Sequence, residues 1–135
     1  MGTVDINYLA VLVCGVASMV TGFLWYGPIF GKAWMNEVGK TEEELKESFN
    51  PGKTYTLSFI GAIVTAITLA YFLSLTGAQT IMDALRVSIT GWLGFIAAIV
   101  YVNSLYEDKT IRHVAINSGY QLVNLVVYGI ILVLW

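Results

Sequence analysis

The stretch YTLSFIGAIVTAITLAYFLSL, from Tyr55 to Leu75, runs for 21 residues without a charged side chain. A helix needs about 20 mainly apolar residues to cross roughly 30 Å of bilayer hydrocarbon, so this segment alone is long enough to span. Ile6–Phe30, Ile81–Leu105 and Val114–Leu134 have the same character. The reading is an all-α integral membrane four-helix transmembrane bundle, with residues 1–135 forming one domain. Composition agrees. Apolar residues make up 57% and charged residues 12%, against about 25% charged in soluble proteins, and the mean hydropathy is +0.73.

The surrounding charges set an expected orientation. Lys32, Lys40, Lys46 and Lys53 fall between the first two spans, and Lys109 and Arg112 between the last two. Arg86 is the only basic residue at the opposite surface. The positive-inside rule counts Lys and Arg rather than net charge. It places residues 31–54 and 106–113 in the cytoplasm and both termini outside, in a cell (inner) membrane. The leader Met1-Gly2-Thr3-Val4-Asp5 has no Lys or Arg, unlike the basic start of a cleaved signal. The net charge of −2 gives no basic surface for nucleic acid. The single cysteine, Cys14, lies within the first span and reads as a small apolar filler.

The first span ends in Trp25-Tyr26-Gly27-Pro28-Ile29-Phe30. Pro28 donates no backbone hydrogen bond, which predicts a kink or stop. Trp25, Tyr26 and Trp34 suit the headgroup boundary, and with Gly27, Pro28 and Lys32 they form a candidate hinge or headgroup site. Beyond it, Thr41 and Glu44 have capping-box spacing and predict one short cytoplasmic helix, Glu42 to about Ser48, which Asn50-Pro51-Gly52 ends. Thr80 and Asp83 repeat that spacing at the start of the third span. Asp83 and Arg86, three apart, are expected to form an ion pair at the outer surface. Thr21-Gly22-Phe23-Leu24 is echoed by Thr90-Gly91-Trp92-Leu93, a match of four residues at different depths that reads as chance.

Small residues recur where helices in lipid pack closely: Gly15, Ser18 and Gly22 in the first span, Ala62, Ala66 and Ala70 in the second, Gly91, Gly94 and Ala98 in the third. These faces predict a homo-oligomer as well as internal contacts. The last span carries Asn117, Gln121, Asn124 and Tyr128 at 4-3-4 spacing, on one helix face. Unpaired amides are costly in hydrocarbon. The stripe is therefore expected either to hydrogen-bond between helices, with Asn103, Thr65 and Thr68 as partners, or to line a polar path. No catalytic, cofactor or metal-binding motif is present. His113 is the only histidine, and the charges around it, Glu107, Asp108 and Arg112, read as helix flanks.

The segment Trp25-Tyr26-Gly27-Pro28-Ile29-Phe30-Gly31-Lys32-Ala33-Trp34-Met35, preceded by Asn7-Tyr8-Leu9-Ala10-Val11, resembles the signature of a family of small bacterial and archaeal membrane proteins known as domain of unknown function 1761. Gly91-Trp92-Leu93-Gly94-Phe95 and Ile116-Asn117-Ser118-Gly119-Tyr120-Gln121-Leu122-Val123 are similar to the rest of its pattern. The resemblance implies a four-helix membrane domain with no assigned activity and no catalytic residues to carry over. The leading functional expectation is that the helix-four face binds or passes a small uncharged or zwitterionic solute or a lipid. The alternative is a structural or accessory subunit packed against a partner protein. Neither reading involves an enzyme, and the partners expected are membrane lipids and further copies of the chain.

Overall fold

A computed structural model describes residues 6–135. The expectation for the leader Met1–Asp5 lies outside the described residues. The helices are α1 (Tyr8–Ile29), α2 (Gly31–Val38), α3 (Glu42–Ser48), α4 (Pro51–Leu75), α5 (Ile81–Glu107) and α6 (Ile111–Leu134). Among them α1, α4, α5 and α6 are long and apolar enough to cross a membrane. The described residues contain no strand, and the all-α membrane bundle is observed as expected.

Polar caps set the helix boundaries, which therefore reach past the apolar residues. Asn50 accepts from the backbone N–H of Lys53 and starts α4 with Pro51 in its first turn, where a missing N–H costs nothing. Thr110 caps α6 by accepting from His113 N. Thr80 and Asp83 form the complete reciprocal box at the start of α5. Thr41 caps α3 by accepting from Glu44 N.

The first connection departs from the single short helix expected. It holds two, because Pro28 ends α1 early. Trp25–Ile29 widens into a π-helical turn with Pro28 inside it, and Phe30 N bonds back to Trp25 O at 2.8 Å. The widened turn absorbs the bond that proline cannot make. Phe30 then leaves helical geometry and Gly31 starts α2. Gly31 is buried against that break: a Cβ there would lie 2.7 Å from the carbonyl oxygen of Tyr26, so only glycine permits the approach. Gly39, at φ +70°, closes α2 in the left-handed region.

A second π-helical turn, Leu93–Ala97, interrupts α5 without a proline. The echoed tetrapeptides, read as chance, sit directly at these two turns: Thr21–Leu24 precedes the first, and Thr90–Leu93 runs into the second. The repetition therefore has a structural counterpart.

Helix α6 is the centre of the bundle. It packs against α1 on one side and α5 on the other, and α4 lies mainly on α1. The core gathers Val11, Cys14, Ala66, Leu69, Leu73, Ala84, Leu125 and Tyr128. It occupies the half nearest the Thr76–Thr80 turn, here called the hairpin end. Helices α4 and α5 share little contact, and residues 51–61 of α4 contribute no buried side chain.

The small-residue faces divide accordingly. Ala62, Ala66 and Ala70 are buried, and a Cβ on Gly15 would lie 2.7 Å from Phe59 of α4. A Cβ on Gly129 would lie 2.7 Å from Ser88 Oγ and 3.3 Å from Ala84 of α5. Gly91 and Gly94 have nothing within 4 Å of such a Cβ. Overpacking a tight contact costs about 1–3 kcal/mol. Gly15→Val and Gly129→Val are thus expected to lose stability in that range in detergent unfolding titrations. Gly94→Ala should match or exceed wild type, because alanine favours helix by up to about 1 kcal/mol. Equal losses at all three positions would contradict this packing scheme.

Candidate functional site

The polar stripe of α6 does not act as one surface. Asn117 Oδ1 accepts from Tyr26 Oη at 2.8 Å, and its Nδ2 lies 2.9 Å from His113 Nε2. With its oxygen taken by a donor, the amide donates to His113. The proton of that neutral ring then sits on Nδ1, which is buried without a partner among the described residues. Gln121 is exposed. Asn124 and Tyr128 are 3% and 2% exposed. Asn124 Oδ1 has no donor among the described residues.

The partners expected for the stripe are engaged elsewhere. Asn103 is exposed on α5, and its place beside Asn117 is taken by Tyr26 and His113. Thr65 and Thr68 donate to Gly61 O and Val64 O of their own helix, so they do not serve Gln121 or Asn124. The expected Asp83–Arg86 ion pair is not made either. Asp83 Oδ2 accepts from the backbone N–H groups of Gln79 at 3.1 Å and Thr80 at 3.3 Å. Local capping therefore takes the carboxylate. Lys46–Glu42, exposed on α3, is the ion pair among the described residues and at such exposure contributes little.

Around Pro28 the aromatic side chains meet one another. Trp25 meets Phe30 at a 44° tilt with centroids 4.5 Å apart, Tyr26 meets Trp34 at 5.4 Å, and Tyr26 meets Tyr120 of α6 at 5.1 Å. Gly27 lines a hollow of about 400 Å³ with Ser18, Tyr26, Tyr55, Ser58 and Tyr120. Lys32 does not join it. It is exposed on α2 and borders a separate hollow with Asn36, Lys40 and Glu42.

Four contacts onto the backbone of α6 escaped the sequence. Trp25 Nε1 donates to Ile116 O at 2.9 Å and Trp92 Nε1 to Ser118 O at 2.6 Å. Ser88 Oγ donates to Leu125 O at 2.9 Å, and Cys14 Sγ to Tyr128 O at 3.8 Å. The two tryptophans stand at the two π-helical turns.

A groove of about 720 Å³ between α4 and α5 was also missed; its volume is within the roughly 300–1,000 Å³ of small-molecule sites. Val64, Leu69, Phe72, Val87, Phe95 and Ile96 form its apolar wall, Leu125 of α6 contributes from the centre of the bundle, and Arg86 and Thr76 lie near the hairpin end. Four of its five hydroxyls are engaged: Thr65, Thr68 and Thr76 donate to carbonyls of α4, and Ser88 to Leu125 O, while Thr90 is the fifth. Gly91 and Gly94 line the same groove, which is why a Cβ there meets nothing.

The family model described as "Protein of unknown function (DUF1761)" matches residues 9–133. The chain belongs to that family. No curated protein and no solved structure matches it. Family membership adds a multi-spanning membrane protein of unassigned function, and the groove and the α6 contacts described above are properties of this chain's own residues.

The unpaired oxygen of Asn124 allows a direct test. A buried acceptor without a donor costs about 1–3 kcal/mol, so Asn124→Leu is expected to raise the unfolding free energy of the detergent-purified protein by about that amount. A comparable loss would mean that a bound water or ligand satisfies the amide.

Proposed function

We propose that this protein binds a lipid-like ligand within the plane of the membrane, its apolar chain lying in the groove between α4 and α5. One observation carries the reading: the groove's walls are apolar, and four of its five hydroxyls already donate to helix carbonyls. A polar solute would lose water there and gain few partners. A hydrocarbon chain loses nothing. Val64 and Thr76 are twelve residues apart on α4, about 18 Å of helix, close to the roughly 15 Å depth of one leaflet's hydrocarbon.

This narrows the solute-or-lipid expectation to its lipid arm. The dispersal of Asn117, Gln121 and Asn124 over different environments removes support from a continuous polar path. In the same reading the protein lies in the inner membrane with residues 31–54 and 106–113 in the cytoplasm, on the strength of Lys32, Lys40, Lys46, Lys53, Lys109 and Arg112. It acts by binding, without covalent chemistry. A homo-oligomer uses faces other than the groove.

Gly91→Leu with Gly94→Phe fills the groove from positions that have free space. Native mass spectrometry of protein extracted in mild detergent is expected to show several-fold less retained lipid than wild type at unchanged thermal stability. Unchanged lipid retention would overturn the reading. So would cross-links placing a second copy or another protein in the groove, the latter favouring an accessory subunit.

A further inference from the structure

The groove has a charged mouth. Arg86 is the only basic residue between Lys53 and Lys109, and it lines the groove while remaining exposed. It stands five residues after the start of α5, about 7.5 Å along the axis. That is the depth of glycerol and phosphate rather than of the bilayer centre, and a long arginine side chain there reaches the headgroups.

A carboxylate at such a position would ordinarily neutralise it. Asp83 has the right spacing, yet its oxygen is committed to the N–H groups of Gln79 and Thr80. Among the described residues no acidic group lies within 4.0 Å of the Arg86 guanidinium. The capping box thus holds Asp83 Oδ2 on the backbone at the start of α5, and no ion pair with Arg86 forms. The other polar groups of the lining are hydroxyls, and four of them donate to helix carbonyls. The site therefore offers a long apolar wall with one cationic end.

We infer that Arg86 selects the headgroup of the bound lipid, favouring a phospholipid with a net negative charge over a zwitterionic one. This rests on the groove being a lipid site. The guanidinium presents forked N–H donors that match two phosphate oxygens. In a zwitterionic headgroup the neighbouring ammonium competes for the same phosphate. In an anionic one it does not. The occupant is one membrane lipid with its chain beside Phe72, Val87 and Phe95 and its phosphate at Arg86.

The test uses the full chain in nanodiscs containing equal amounts of phosphatidylglycerol and phosphatidylcholine. After transfer to mild detergent, the lipids retained are counted by native mass spectrometry. Wild type is expected to retain phosphatidylglycerol with roughly fivefold preference, the ratio a single basic residue at a membrane surface supports. Arg86→Gln should bring the ratio near one, chiefly by losing phosphatidylglycerol, and Arg86→Lys should keep part of the preference. Lys109→Gln, at the other surface, should keep all of it. Arg86 is exposed, so its variants should fold, and an unchanged melting temperature checks this. A wild type that retains both lipids equally, or an Arg86→Gln variant with the preference intact, overturns the headgroup assignment and leaves the groove reading standing. A wild type that retains no lipid overturns both.

Discussion

The bundle depends on main-chain carbonyls of α6 acting as hydrogen-bond acceptors for its neighbours. Trp25 and Cys14 reach Ile116 O and Tyr128 O from α1; Trp92 and Ser88 reach Ser118 O and Leu125 O from α5. These carbonyls belong to a helix whose own ladder already uses them, so each accepts an additional donor through its second lone pair. In water such bonds add little. In lipid the alternative for an indole N–H is no partner at all, although measured interhelical bonds in membranes still average below about 1 kcal/mol. Their main effect is positional: each fixes the depth and rotation of a helix against α6.

Helix α4 makes no comparable bond to α6, and this explains the groove. Its seam of Ala62, Ala66 and Ala70 packs by close van der Waals contact, and Phe59 and Ile63 lie over Gly15 of α1. Its threonines bond to their own helix. Nothing therefore draws α4 toward α5 except the short turn that joins them. Helix α5, pinned to α6 by Trp92, Ser88 and the close Ala84–Gly129 approach, does not follow α4 across the bundle. The opening lies between the one helix held by packing alone and the one held by hydrogen bonds.

Much of this was legible in the sequence, and what was not shares a cause. The spans followed from runs of apolar residues, and Thr80 with Asp83 gave the start of α5 because a cap is a local contract between near neighbours. The break at Pro28 followed from a missing N–H. The extra helix Gly31–Val38 was missed because a stop was read where the chain in fact restarts, and Gly31 permits that restart. The partners of the stripe were misassigned for a different reason. Asn117 meets Tyr26, 91 residues away and marked by no local spacing, while Thr65 and Thr68 bond to the backbone of their own helix, as most side-chain bonds go to backbone or water. Asp83 and Arg86 show the same preference at the surface: the carboxylate chose two backbone N–H groups over a guanidinium three residues away.

The polar and apolar tasks of the bundle are consequently separated in space. Tyr26, Asn117 and His113 form a bonded chain between α1 and α6, joined to the aromatic contacts of Tyr26 with Trp34 and Tyr120. The Tyr26–Asn117 bond constrains α1 against α6, while the Asn117–His113 contact lies within α6. The groove lies between α4 and α5, and four of its five hydroxyls are satisfied within α4 or on α6. A wall of this kind can shift without breaking hydrogen bonds, because α4 is held there by dispersion contacts alone. The rigid flank keeps α6 in place while the flank facing the lipid stays adaptable, and a site for chains of varying shape requires that division.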